Sequence, residues 1–131
     1  MHEKDYLQIE RNQLYTGLCQ IAEQLDLGVV IVDPKQDYII IHTNPAFIEM
    51  TEYSKDEIVG ATLALFNGTL TNIEQEQEIF TALVNNESIT KTLFHYRRDG
   101  SAFWHELKSI PIFNTTGDIE FHYITTRDIS D

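Results

Sequence analysis

Residues 94–106 read FHYRRDGSAFWHE, and this stretch decides what kind of fold the chain can adopt. Aromatic arms that favour extended backbone flank an Arg-Asp-Gly-Ser segment, whose Asp-Gly pair favours a tight turn. The expected element is an antiparallel hairpin with a histidine on each arm, His95 and His105. The turn decides where those histidines point. A three-residue loop, a type I turn followed by glycine in the left-handed region, would set His95 opposite His105 on one face. A two-residue turn would set His95 opposite Trp104 and send the imidazoles to opposite faces.

The strand pattern continues outward from the hairpin. Ile89 to Tyr96, Ala102 to Phe113 and Glu120 to Ile129 read as three long strands, the last two joined by Asn114-Thr115-Thr116-Gly117. Alternation puts Phe103 and Leu107 on the face of His105, and Leu93 beside His95. Thr126, Ile124 and His122 share one parity on the last strand. Upstream, Val29 to Val32 and Tyr38 to His42 read as two further strands about an Asp33-Pro34 turn. Between the two strand groups lie helix signals. Asn44-Pro45 reads as a cap followed by proline at the first helical position. Ser54 to Glu57 forms a capping box, and Gly60 stops the helix it starts. Thr71 to Glu74 reads as a second box. It opens a longer helix with Ile73, Phe80, Leu83 and Val84 on one side, ending at Asn85-Asn86. Hairpins at both ends with helices between them predict an α+β fold: an antiparallel sheet, helices on one face, and a core or pocket between the layers.

Residues 1 to about 26 read as an amphipathic helix, since Leu7, Leu14, Leu18, Ile21 and Leu25 follow at intervals of 7, 4, 3 and 4. Gly28 suits its C-terminal turn. The expected division is a helix over 1–27 and a domain over 28–131. The stripe Leu14, Leu18, Ile21 and Leu25 has two readings: it packs on the domain's own core, or it forms a dimer contact with a second copy.

Composition narrows the function classes. The 131 residues suffice for one domain with a real core. A net charge of -12, from 21 acidic against 9 basic residues, argues against nucleic-acid or membrane-surface binding. The Arg97-Arg98 pair is explained by a solvated turn. No apolar run is long enough to span a membrane. The polar, charged N-terminus lacks a signal peptide, so a cytoplasmic location is expected. The single cysteine, Cys19, excludes an internal disulfide and a multi-cysteine metal site.

Several motifs in order carry a family resemblance. Asn44-Pro45-Ala46-Phe47, with Thr51, Tyr53 and Gly60 after it, resembles the NPAF…TGYS…G block of the PAS family. Tyr96 to Gly100 with Phe103-Trp104 is similar to its YRxDG…FW hairpin, and Asp128-Ile129-Ser130 to its terminal D-[IV]-T motif. Within the family the chain resembles the LOV flavin photosensors, over roughly residues 28 to 131. The resemblance implies a five-stranded sheet in the order 2-1-5-4-3. It also favours the hairpin turn that brings both histidines to one face.

The departures bear on function. The LOV segment GxNCRFLQG is here Gly60-Ala61-Thr62-Leu63-Ala64-Leu65-Phe66-Asn67-Gly68. Leu63 stands where the resemblance implies the cysteine that bonds the flavin after light absorption. Ala64 stands for the arginine that pairs with the flavin phosphate, and Asn67 for a glutamine. His95 and His105 replace two flavin-bonding asparagines, and Thr126 replaces a glutamine. Each buried hydrogen bond lost costs about 1–3 kcal/mol, so these replacements disfavour flavin. Haem-binding PAS domains usually carry the axial histidine on the long helix; Asn72 to Asn86 holds none. The cofactor, if any, stays open.

His95, His105, Thr126 and Leu63 are therefore the expected pocket wall. The plainest reading of the histidines is a neutral pair filling former cofactor space. Next comes a small-molecule pocket that uses them as donors or acceptors. A metal site would need three or four converging ligands, with only His122 as a third. No nucleophile with base and orienter is marked, and acid-base catalysis would need a further polar group on the inner face. Asp37, Asp56, Glu57 and the Glu74 to Glu78 run read as turn, cap and solvated helix face. The expected function is a non-catalytic sensory or dimerisation module of a bacterial signalling protein. Such a homodimer would pass a ligand- or packing-dependent signal to an effector outside this chain. The alternative is a photo- or redox sensor holding flavin or another small molecule without a cysteine adduct.

Overall fold

The computed structural model describes residues 2–130. The chain runs α1 (Glu3–Gln24), β1 (Gly28–Asp33), β2 (Ile39–Thr43), α2 (Pro45–Thr51), α3 (Lys55–Ile58), α4 (Ile73–Val84), β3 (Ile89–Tyr96), β4 (Ala102–Phe113) and β5 (Ile119–Asp128). Short 3-10 turns at Pro34–Gln36 and Leu63–Phe66 complete it. The five strands form one sheet in the order β2-β1-β5-β4-β3, the order implied by the resemblance, and the pairings are antiparallel.

Each sheet face has its own core. On the inner face Val30, Val32, Ile40, Leu93, Leu107 and Ile124 meet Phe47, Ile58, Phe66, Ile79 and Leu83 from the helices. On the outer face Val29, Ile31, Phe121 and Tyr123 meet Ala22 of α1. β1 is buried on both sides, which is why Val29 to Val32 is uniformly apolar with no alternation.

The α1 stripe is mostly used within the chain. Leu14, Leu18 and Leu25 pack against the outer-face core, whereas Ile21 is 57% exposed. Of the four residues expected to meet a second copy, three thus have an intramolecular partner. The physical reason is the apolar outer face of β1 and β5, which would otherwise meet water.

Local chemistry corrects three further expectations. Gly28 is the first residue of β1, not the end of a helix; the α1 cap is Leu25, in extended conformation. A Cβ at Gly28 would lie 2.7 Å from Thr126 Oγ1 and 3.1 Å from both Met50 and Phe47. Glycine is required there by close packing. Gly28→Ala is expected to destabilise the protein by about 1–3 kcal/mol through overpacking. A urea midpoint equal to that of the parent protein would show that the strand shifts freely.

The second correction is the cap of α4. Asn72 Oδ1 accepts from Gln75 N at 3.1 Å, so Asn72 is the N-cap. Thr71 instead donates its hydroxyl to Phe94 O at 2.6 Å and accepts from Gly68 N at 2.9 Å, tying α4 to β3. Thirdly, α4 buries Ile79, Ala82 and Leu83, while Ile73, Phe80 and Val84 are largely exposed. The capping box at Ser54 and Glu57 forms with both of its hydrogen bonds.

Candidate functional site

The hairpin turn is held by two backbone bonds. Gly100 N donates to Arg97 O at 2.9 Å, and Arg97 N donates to Ser101 O at 2.7 Å. Gly100 has φ +88°, the left-handed residue that follows a type I turn. The loop is therefore the three-residue one, Arg98-Asp99-Gly100. Its centre lies at Asp99, whose carboxylate accepts from Ser101 N at 2.9 Å and Ser101 Oγ at 2.6 Å.

That centre corrects the expected pairing. His95 lies opposite Phe103, and His105 opposite Leu93. A shift of two residues preserves the face, so the imidazoles meet diagonally, with Nδ1 atoms 2.9 Å apart. The pair is buried, His95 at 1% and His105 at 0% exposure. Phe66 flanks the ring of His95, and Phe47 and Phe103 flank that of His105.

A bond between two Nδ1 atoms constrains the tautomers. One ring donates from Nδ1 and has a bare Nε2; the other accepts at Nδ1 and carries its proton on Nε2. The pair thus offers one acceptor and one donor, and neither Nε2 has a protein partner. Burial lowers the pKa of His95 to about 4. Burial first, then His95 and Arg97, lower that of His105. Both rings are neutral at pH 7.

A pH signature follows from the sign of these shifts. Between the folded and unfolded pKa the unfolded chain binds more protons, so stability is fully present above about pH 6.5 and falls as the pH drops towards the folded value. His95 alone is expected to remove about 2 kcal/mol between pH 7 and pH 5. His95→Leu with His105→Leu should flatten that slope in urea titrations at the two pH values. An unchanged slope would assign it to His42 and His122, whose burial also lowers their pKa.

A cavity of about 350 Å³ lies between α4 and the sheet. Leu63, Leu83, Leu93 and Leu107 form much of its wall, His95 adds a polar point, and Ala64 and Asn67 also line it. Tyr38 and Phe80 meet edge to face with centroids 5.3 Å apart, and both line the cavity. Asp37 and Glu76 line it as well, and no lining residue is Lys or Arg.

The structure separates the four expected wall residues. Leu63 and His95 line the cavity, while His105 and Thr126 do not. Thr126 is packed near Gly28 and Met50, with its Oγ1 3.9 Å from Met50 Sδ. His122 is buried and stacks on Tyr38 at 6.1 Å. It pairs with Pro111 of β4, six positions along that strand from His105, and it does not join the histidine pair. Among the described residues no group of three or more His, Cys, Asp or Glu could hold a metal.

The sequence pattern assigns Asp37 to a turn, Glu76 to a solvated helix face, Tyr38 to a strand and Phe80 to the apolar side of a helix, and joins none of them to the pocket. Alternation had identified Leu93 and Leu107, but the mouth residues come from the β1–β2 connection and the outer side of α4. No periodic signal joins those two segments. Both basic residues of the hairpin are engaged: Arg97 pairs with Asp128 at 2.5 Å and Arg98 with Glu57 at 2.9 Å.

A five-stranded antiparallel sheet with short helices and a cavity over one face and α1 over the other defines an α+β domain. Residues 26–131 match the model of the PAS domain, and the chain belongs to the PAS family, in its LOV-like subgroup. It is 32% identical over 115 residues to the bacterioopsin transcriptional activator of Halobacterium salinarum, covering 86% of this chain and 17% of that protein. It is 30% identical over 113 residues to blue-light-activated histidine kinase 1 of Erythrobacter litoralis, covering 86% and 31%. The chain thus spans under a third of either relative. Among solved structures, the LOV domain of the Erythrobacter litoralis EL346 blue-light-activated histidine kinase superposes with a TM-score of 0.78 at 28% identity. That match covers 82% of this chain and 100% of the other. The domain is a sensory PAS module of the kind found in signal-transduction proteins. Among the described residues no helix is long and apolar enough to cross a membrane.

Proposed function

We propose that this domain is a non-catalytic sensor of a bacterial signalling protein. It reads a small molecule in the α4 cavity and passes the change to an effector outside this chain, without LOV photochemistry. The observation that carries the reading is Leu63 in the wall of a cavity of about 350 Å³, at the position where the LOV pattern has its reactive cysteine. A leucine has no thiol to form an adduct. The volume lies at the lower end of the range for small-molecule sites.

A phosphorylated flavin does not fit the residues present. Asp37 and Glu76 line the cavity and no lysine or arginine does, so the lining offers a phosphate no cation. His95 and His105 bond each other, and Thr126 is turned to Met50. Incubation with flavin mononucleotide is expected to leave the purified protein colourless, with no absorption change under blue light. A stoichiometric yellow complex would instead favour the non-covalent flavin sensor.

A homodimer remains part of the reading. Of the expected contact residues only Ile21 is largely free for it, joined on α1 by the exposed Tyr6 and Ile9. Sedimentation as a monomer at high concentration would remove the dimer and leave the pocket reading intact.

A further inference from the structure

We propose that the cavity takes an amphiphilic organic cation, with an apolar body among the leucines, a hydrogen-bonding group at His95 and an ammonium at Asp37 and Glu76. This rests on the reading of the cavity as a ligand site.

Three independent features support it. His95 is 99% buried and lines the cavity, yet its Nε2 has no protein partner. A buried polar atom left unpaired is costly, and a ligand hydroxyl satisfies it in either tautomer because a hydroxyl both donates and accepts. At the opposite polarity, Asp37 and Glu76 line the same cavity, and neither carboxylate has an ion pair or side-chain hydrogen bond among the described residues. Tyr38 and Phe80 line the same cavity, and aromatic rings attract cations. Burial at the apolar wall rewards a hydrocarbon body between the two ends. Two carboxylates and no lysine or arginine line the cavity, so the same charge pattern disfavours anions.

The test uses three phenols that differ only at the end of a butyl chain: an amine, an alcohol and a carboxylic acid. Isothermal titration calorimetry at physiological ionic strength screens the net field of the protein and leaves the local one. The amine is expected to bind about tenfold more tightly than the alcohol, and the acid most weakly. In Asp37→Asn with Glu76→Gln the preference for the amine over the alcohol should fall to within about twofold. Asn is chosen because Asp37 has φ +56°, a conformation Asn also accepts. If the alcohol binds and the amine binds no better, or the preference survives in the double variant, the cation inference is overturned and the ligand site stands. If none of the three binds, both fall.

Discussion

Asn44→Ala is expected to cost about 4 kcal/mol, because this one buried side chain holds three segments together. Asn44 is fully buried and makes four hydrogen bonds. Its Oδ1 accepts from Val29 N at 2.8 Å and Phe47 N at 3.1 Å. Its Nδ2 donates to Ala22 O and Leu27 O, each at 2.8 Å. One side chain thus joins the end of α1, the start of β1 and the first turn of α2. Alanine strands the buried amides of Val29 and Phe47 and takes the side-chain donor from the Leu27 carbonyl, while Ala22 O keeps the bond from Leu25 N. The informative companion is Asn44→Asp. As a helix cap alone, Asp is as good as Asn. Here a carboxylate would face the carbonyls of Ala22 and Leu27 in place of two donors. The aspartate variant should therefore be at least as unstable as the alanine variant by equilibrium urea unfolding. An aspartate variant within about 1 kcal/mol of the parent would show that capping is the whole role.

Asn44 illustrates what was legible in the sequence. Its cap role followed from Asn-Pro before a helix, a local signal. The bonds to Ala22 and Leu27 join segments that β1 and β2 separate in sequence, and no local pattern reports them. The sheet order behaves in the same way. Strand existence is written in alternation, but the 2-1-5-4-3 order came through the resemblance. The hairpin shows the limit most finely. Asp99-Gly100 announced the turn type correctly, and the centre still moved by one residue because the Asp99 side chain bonds Ser101. A one-residue move of the centre changes pairing by two, so both histidines kept their face while losing their expected partners. The cavity mouth was illegible because Asp37 sits in a left-handed turn and Glu76 on a helix face that otherwise meets solvent.

Arg11→Ala is the second large expected effect, about 3–5 kcal/mol, because it breaks a buried charge network from one side. Arg11 Nη2 donates to Asp33 Oδ2 at 2.6 Å, and Nη1 donates to Glu120 Oε2 at 2.8 Å and to the Glu120 carbonyl at 2.9 Å. Its guanidinium also lies 4.2 Å over the Phe121 ring. Asp33 and Glu120 are buried, so the alanine variant leaves two carboxylates facing one another without their shared cation. Lys35 and Asn114 still reach Glu120, which keeps the loss finite. Arg11→Lys retains the charge but cannot bridge both carboxylates with a planar fork, and should fall between the two. The network has an acid signature as well. Burial raises the Glu120 carboxyl, but bonds from Arg11, Lys35 and Asn114 outweigh it and hold the pKa below the ordinary value. A depressed folded pKa contributes stability above the unfolded pKa and loses it as the pH falls through the folded one. The parent protein should therefore lose this contribution below about pH 4.5, and Arg11→Ala should lose less of it on the same acidification. Because Arg11 is the charged clamp between α1 and the sheet, its loss is also expected to speed amide exchange in α1 before that of β4 and β5. Equal acceleration across the sheet would mean that α1 and the domain unfold as one unit.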